Sequence, residues 1–403
     1  MVQTATMTPK QPGEKPGVAV RRLDLTRFRN YPSTRLEISA PGENCIVLVG
    51  ENGAGKTNLL EALSYLGPGR GLRGARLDDI TTNGAAGAWA VSAVFAGQGE
   101  QRRIGCAIEY ANKSGGVQGR ARRVIVMDET PLSGAAALAP YISIIWLTPR
   151  MDRLFQEGAS ERRRFFDQIV VGLFPDHARQ LYAYEKTTRE RLKVLTGHGN
   201  QRDETWISAL ERRMAEHAVA IAAARLEGLE LLKTHLSFAS ESRFPIPVLA
   251  LKGEVEDLLK VHPALAAEEQ LAGLLAGERT RDGERGQTGR GAHKTDLQAW
   301  HPEKDIPASQ CSTGEQKAML TGIVLAAARL QMSVRGRSPI LLLDEVAAHL
   351  DQERRTSLFE EVATLGVQTW LTGTDAAIFS PLKGKALFLH VTDGVIENIN
   401  QLD

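Results

Sequence analysis

Gly50, Glu51, Asn52, Gly53, Ala54, Gly55, Lys56 and Thr57 fit the pattern G-x-x-x-x-G-K-[ST] in full. Glycines at these positions let the backbone curl until its N–H groups face phosphate oxygens. The apolar run 44–49 before the loop reads as a buried strand, and residues 58–66 after it as a good helix. The loop therefore opens at the positive end of a helix dipole. Lys56 is expected to reach the β- and γ-phosphates of ATP, and the Thr57 hydroxyl to ligate Mg²⁺. A plain glycine-rich strand–helix turn is the rival reading, disfavoured with strand, helix, Lys and Thr all in place. Ile340–Leu343 is a second apolar strand, and it ends in Asp344 and Glu345. Buried parallel strands deliver catalytic groups at their carboxyl ends, beside such a loop. Asp344 is expected to hold Mg²⁺, directly or through water, and Glu345 to polarise the attacking water as a general base. By itself the pair could equally be an acidic start to the next helix.

Ser312-Thr313-Gly314-Glu315-Gln316 precedes an Ala/Leu-rich stretch and resembles the signature sequence of ABC-class ATPases. In that class the signature of one subunit closes over the γ-phosphate held by another. The Ser312 hydroxyl, the Gly314 N–H and the helix start behind them would form a second anion site. The same residues also make a capping box, and both readings can hold together. Asp351 resembles the D-loop aspartate at the seam of such a dimer. Two features of the class are missing: 371–375 (LTGTD) has no histidine to sense the γ-phosphate, and 146–150 (WLTPR) has no Q-loop glutamine.

Several elements must position these groups. Residues 18–40 alternate apolar and polar side chains, as half-buried strands do, and 88–127 reads as short strands of an antiparallel layer. From Asp176 the pattern is helical, and Ile207, Leu210, Met214, Ala218, Ile221, Leu229, Leu232 and Leu236 keep one stripe on a long helix over 205–238. A turn over 197–200 pairs that helix with the one before it. The charged, glycine-rich stretch 281–291 reads as a loop. A helix to Met332, a helix after Asp351 and a strand over 369–372 restore the α/β character. From Thr57 to Ser312 is 255 residues, far more than a transporter ATPase places between these motifs, so a module is inserted. The expected organisation is a flexible tail over 1–17, an ATPase head in two parts over 18–172 and 291–403, and a helical lobe over 173–290. The fold class is α/β: an ABC-type head, combining a P-loop core with an antiparallel β layer, and an inserted α-helical lobe.

Composition sets the outer limits. The 403 residues exceed one ordinary compact core, and 42% hydrophobic with 24% charged residues excludes wholesale disorder. No apolar run approaches the roughly 20 residues that cross a bilayer, and the first residues lack a secretory h-region. Cys45, Cys106 and Cys311 are scattered without CxxC spacing, which points to a reducing cytosol rather than to disulfides or zinc. The three are read as core residues, and His293 and His349 as solvated or capping ones. The net charge of +1 argues against a strongly basic coat on nucleic acid.

Further residues resemble the RecF family of bacterial recombination-repair proteins along nearly the whole chain after the tail. They are Leu25–Tyr31, Gly50–Ala62, the basic turn Gly69–Arg73, Glu161–Asp167, and 291–296 as a degraded Gly-Pro-His-Arg-Asp-Asp segment. Asp344-Glu345 stands where many members have two Asp. The resemblance implies ATP-dependent homodimerisation and ATP-dependent DNA binding; the lack of a base-reading motif points to sequence-independent binding, of single-strand or gapped DNA. It implies slow ATP hydrolysis coupled to dimer opening and DNA release. It also implies action with RecO and RecR to help RecA loading at gapped or stalled-replication DNA, within DNA damage repair and the SOS response.

DNA contacts are expected from dense arginine clusters: Arg102-Arg103, Arg120/Arg122/Arg123, and Arg150/Arg153 with Arg162, Arg163 and Arg164, together with Arg73. For any one of them a solvated face is the bland alternative. No base-reading motif is visible. Two rivals come from other systems, an ATPase subunit of a membrane transporter and an SMC-like chromosome protein. A nuclease would need a second acidic metal cluster.

Overall fold

The computed structural model describes residues 18–38, 44–82, 87–97, 99–112, 118–197, 203–237 and 243–399. The expected tail and residues 198–200 of the expected turn lie outside them.

The chain opens with a hairpin, β1 (Ala19–Phe28) and β2 (Tyr31–Glu37), followed by β3 (Cys45–Val49) and, past the glycine loop, α1 (Lys56–Ser64). Then come β4 (Ala90–Gly97), β5 (Glu100–Asn112), β6 (Gln118–Met127), β7 (Thr130–Pro131) and β8 (Ile144–Leu147). Helices α2 (Ala159–Leu173), α3 (Asp176–Thr196) and α4 (Glu204–Ser237) lead to β9 (Val248–Lys252), α5 (Glu254–Val261), α6 (Ala264–Gly277), α7 (Arg279–Arg285) and β10 (Asp296–Trp300). The last part is α8 (Thr313–Arg335), β11 (Ile340–Leu343), α9 (Gln352–Leu365), β12 (Thr369–Gly373), β13 (Leu387–Thr392) and β14 (Val395–Asn398).

One sheet has the order β14-β13-β3-β12-β11-β8, with neighbours parallel from β13 to β8. Its strands are apolar on both faces, so it must be covered on both. Val47, Leu341, Leu343 and Leu371 pack to one side with Phe166, Ile169 and the apolar face of α8. Ile46, Leu48, Leu342 and Trp370 pack to the other, with Leu59, Leu60 and Leu63 of α1 and the inner face of the second sheet. That second sheet, β2-β1-β4-β5-β6-β7, is antiparallel throughout, as the alternation over 88–127 predicts. Cys45, Cys106 and Cys311 are free and buried. No helix among the described residues is long and apolar enough to cross a membrane.

The helical lobe has its own core, in which Met214, Ala218, Ile221 and Ala222 of α4 meet Tyr184, Val255, Leu271 and Leu275. The expected stripe on α4 is buried along its length, yet Leu229, Leu232 and Leu236 join the core of the head. One unbroken helix is thus shared by lobe and head.

Buried charge ties the two together. Arg225 of α4 donates to both oxygens of Asp167 on α2, at 2.8 and 2.9 Å, and to the Ala292 carbonyl and the Thr295 hydroxyl. His177 of α3 donates to the same Asp167, and Glu256 of α5 accepts from Thr295. Burial alone would raise the Asp167 pKa, but Arg225 and His177 outweigh it and hold the carboxyl well below its usual range. Removing one partner leaves a buried charge uncompensated, which costs about 3–5 kcal/mol. We therefore expect Arg225→Met to lower stability against urea by that order, with Asp167 as the group left exposed to the penalty. An unchanged urea midpoint would show the network to be dispensable.

Two expectations need correction here. The stretch 281–291 is not simply a loop: α7 occupies its first part, capped by Gly286 in the left-handed region. Within the stretch Asp282 is buried, bonded to Arg191 and to the Gly289 amide. His293 is not a solvated histidine either. Its Nε2 donates to the Thr288 carbonyl at 2.9 Å, so its Nδ1 accepts from the Tyr184 hydroxyl at 2.7 Å. Burial lowers its pKa, consistent with this neutral form. The His349 side chain lies outside the described residues.

Candidate nucleotide-binding and hydrolysis site

The glycine loop leaves β3 and enters α1 with Gly55 at the helix N-cap, φ 119°. Gly50, φ +154°, passes so close to β13 that a Cβ would meet the Val391 carbonyl oxygen at 2.2 Å. Lys56 folds back along the loop and donates to the Gly50 and Glu51 carbonyls at 2.6 and 2.8 Å. Burial lowers its pKa, against the opposing pull of Glu345 and Asp344.

The acidic pair lies where parallel pairing puts it. The Thr57 hydroxyl is 2.9 Å from Asp344 Oδ1 and 3.0 Å from Oδ2. Burial raises the Asp344 pKa, while bonds from Thr372 and Thr57 favour its charged form. A hydroxyl and a carboxylate side by side are hard oxygen donors, the set that suits Mg²⁺. Glu345 is half-buried and left-handed, φ 53°. Such a conformation in a non-glycine residue costs of order 1–3 kcal/mol and persists only where the surroundings hold it.

Ser312 is the N-cap of α8, in a complete capping box with Glu315. Its hydroxyl donates to Glu315 Oε2 at 2.9 Å. Hydrogen bonds from Lys304 and Ser312 push the Glu315 pKa down to about 2. Ser312 is exposed, and a Cβ on Gly314 would meet nothing within 4 Å. Asp351 caps α9 by accepting from the Arg354 amide and is also exposed. The structure thus brings Lys56, Thr57, Asp344 and Glu345 together, while Ser312, Gly314 and Asp351 face outward on other helix starts.

Three residues at the site escape a reading by motif. Asn30, in the β1–β2 turn, and Tyr31, which opens β2, donate to the Ala54 and Gly55 carbonyls at 2.9 and 3.0 Å and so brace the loop from outside. Thr372 bonds to both acidic residues. In the sequence, Thr372 is marked only by the missing histidine after the last core strand.

Of the arginines expected on DNA, Arg123, Arg162 and Arg163 are engaged inside the protein, while Arg73, Arg102, Arg103, Arg122, Arg150, Arg153 and Arg164 are exposed. Arg162 makes a two-pronged pair with Asp296 at 2.8 and 3.0 Å, and Arg163 is half-buried on the Thr295 carbonyl. Arg123 turns inward onto the Tyr65 and Gly69 carbonyls that end the α1 segment. Arg73 pairs with Glu61, fully buried on α1, and with Asn58. Only Arg164 of the 162–164 run is strongly exposed, and it pairs with Glu161. A dense arginine run that reads as a phosphate-binding face is here largely an anchor between helix α2 and the segment at 295–296.

Known proteins share this architecture. No protein-family model matches the chain. The DNA replication and repair protein RecF of Mesorhizobium japonicum is 44% identical over 378 residues, 94% of this chain and 97% of that one. Among solved structures, the recombination mediator protein RecF with ATP in the RecFOR pathway superimposes with a TM-score of 0.80 at 20% identity, covering 97% of this chain and 100% of that one. The Smc head domain with a coiled coil and joint from Pyrococcus yayanosii gives 0.52 at 14% identity, covering 95% and 97%. These two likenesses establish the fold as an ABC-type ATPase head. With that fold, and with such identity along almost its whole length, the chain belongs to the RecF family of DNA replication and repair proteins.

Proposed function

We propose that the protein is an ATP-driven clamp on DNA, acting in the cytosol in recombinational repair of gapped or stalled-replication DNA with RecO- and RecR-type partners. The observation that carries this reading is the split of the site: a complete phosphate-and-metal half, and a signature half that faces open solvent. Gly50–Thr57 would bind ATP, with Thr57 and Asp344 holding Mg²⁺. That ion would neutralise charge on the β- and γ-phosphates. Ser312, Gly314 and Asp351 of a second copy would close over the same nucleotide, with the Ser312 hydroxyl exchanging its bond to Glu315 for a phosphate oxygen. ATP then favours the dimer because only there does it contact both subunits. Glu345, as general base, activates water for slow hydrolysis, and the dimer opens and releases DNA.

For the DNA surface, the helical lobe offers a better face than the 162–164 run. Arg179, Tyr182, Lys186, Arg189 and Lys193 are exposed and recur at steps of three and four along α3, opposite its buried stripe. They span about 21 Å of helix. Asp176 and Glu190 pair with Arg179 and Lys186 and offset part of the charge. A near-neutral monomer carrying such a stripe would grip DNA strongly only when two copies combine. In a mobility-shift assay we expect DNA to be retained with ATP and Mg²⁺ and released without them. Changing Arg179, Lys186, Arg189 and Lys193 to Gln should weaken retention and flatten the plot of log affinity against log salt, by up to about 0.9 for each phosphate left without a cation. An unchanged slope would place DNA elsewhere, and equal retention without nucleotide would sink the clamp.

A further inference from the structure

Strand β12 lies between β3, which carries the glycine loop, and β11, which carries the acids. Its carboxyl end therefore lies beside both halves of the site. The register makes this specific: Leu371 pairs with Leu343, and Thr372 pairs with Leu48. Thr372 therefore lies level with Asp344 and on the same face of the sheet, since neighbours in register point the same way. Its hydroxyl donates to Asp344 Oδ1 at 2.8 Å and accepts from the Glu345 amide at 2.8 Å. Thr372 is 1% exposed, so no water competes for either bond.

We propose that Thr372 is a positioning residue that sets both acids at once, a role that rests on the hydrolysis reading above. One hydroxyl has one proton and two lone pairs, and here each is used in a different sense. The proton goes to Asp344 and orients the carboxylate, leaving its oxygens directed at Thr57. A lone pair takes the Glu345 N–H and holds that residue in its left-handed conformation, φ 53°. A non-glycine residue keeps such a conformation only when its surroundings over-determine it. Packing does not require the hydroxyl, because valine has the same shape and suits a strand equally. With valine, the Glu345 amide would lose its partner, and Asp344 Oδ1 would keep only the Thr57 hydroxyl. The acids would drift while Lys56 keeps its place in the loop, since it bonds the Gly50 and Glu51 carbonyls.

The test compares wild type, Thr372→Val and Thr372→Ser. Affinity for ATP in EDTA should stay within about twofold across the three, because the glycine loop is intact. Mn²⁺ affinity of the complex with a non-hydrolysable ATP analogue, read by electron paramagnetic resonance, should weaken roughly tenfold in Thr372→Val. The kcat for ATP should fall roughly 10- to 100-fold with KM nearly constant, the range expected when hydrogen bonds to charged groups are removed. Thr372→Ser keeps the hydroxyl and should restore most of both. Thr372→Ala, which adds no bulk, should repeat the valine pattern and guards against a packing artefact. Wild-type Mn²⁺ affinity and kcat in both Thr372→Val and Thr372→Ala would overturn the proposal. The metal readout needs no turnover. A wild type that binds Mn²⁺ and ATP but never hydrolyses would sink the hydrolysis reading, while the Mn²⁺ comparison would still decide the positioning role.

Discussion

Lys56→Ala is expected to abolish ATP-dependent dimerisation and, with it, DNA retention. The side chain is the one cation placed within the glycine loop, and it bonds the Gly50 and Glu51 carbonyls. Bound triphosphate would draw the ammonium from those carbonyls to the β- and γ-phosphates. Hydrogen bonds to charged groups contribute about 1.5–3 kcal/mol each, so ATP affinity should drop by roughly one to two orders of magnitude. The consequence for the dimer is larger than for the monomer. In the proposed symmetric sandwich ATP would bridge two copies twice, and the loss would apply at both sites. Sedimentation velocity with ATP and Mg²⁺ measures this directly, and thermal unfolding without nucleotide checks that the fold survives. A Lys56→Ala protein that dimerises like wild type would remove the loop from the mechanism.

Glu345→Gln should have the opposite sign for assembly. Amide for carboxylate preserves shape and the backbone bond to Thr372, but it would remove the base proposed to take a proton from water. General-base catalysis contributes typically 10²- to 10⁴-fold, so hydrolysis should fall by about that factor while ATP binding persists. If hydrolysis is what opens the dimer, its loss moves the population toward the closed state by mass action. The variant should sediment as a stable dimer with ATP and Mg²⁺ and hold DNA longer in salt challenge. A monomer under those conditions would refute the sandwich. Full turnover would instead remove Glu345 from the role of base. Together the two substitutions would separate binding from hydrolysis, since one is expected to prevent the proposed closed state and the other to prolong it.

A near-neutral chain does not contradict conditional DNA binding. Many of the 49 basic residues are tied up internally, as Arg162, Arg163, Arg191 and Arg225 show. What matters for phosphate contact is the exposed remainder and its arrangement. The stripe on α3 is ordered by helical periodicity, whereas the 162–164 run is contiguous and so points in several directions at once. Contiguity in sequence exaggerates its value as a surface.

Much of the site is legible in the sequence because its determinants are local. The loop at 50–57 dictates its own curl through glycines and delivers Lys56 and Thr57 at a helix start. Ser312 and Glu315 close a capping box within four residues. Apolar strands ending in charge, at 340–345, place their acids by the geometry of parallel sheets alone. Helical and strand periodicity likewise reveals the long α4 and the antiparallel layer. Tertiary structure alone decides what depends on partners far away in the chain. Thr57 meets Asp344 across 287 residues, Thr372 meets Asp344 across 28, and Arg225 meets Thr295 across 70. Strand order puts β12 between the loop and the acids, and nothing in residues 369–373 themselves announces it. Whether a charge is solvated or buried against an opposite charge follows from the packing of distant elements. That is why α7, His293 and the arginines of α2 are the places where local pattern and the folded chain diverge.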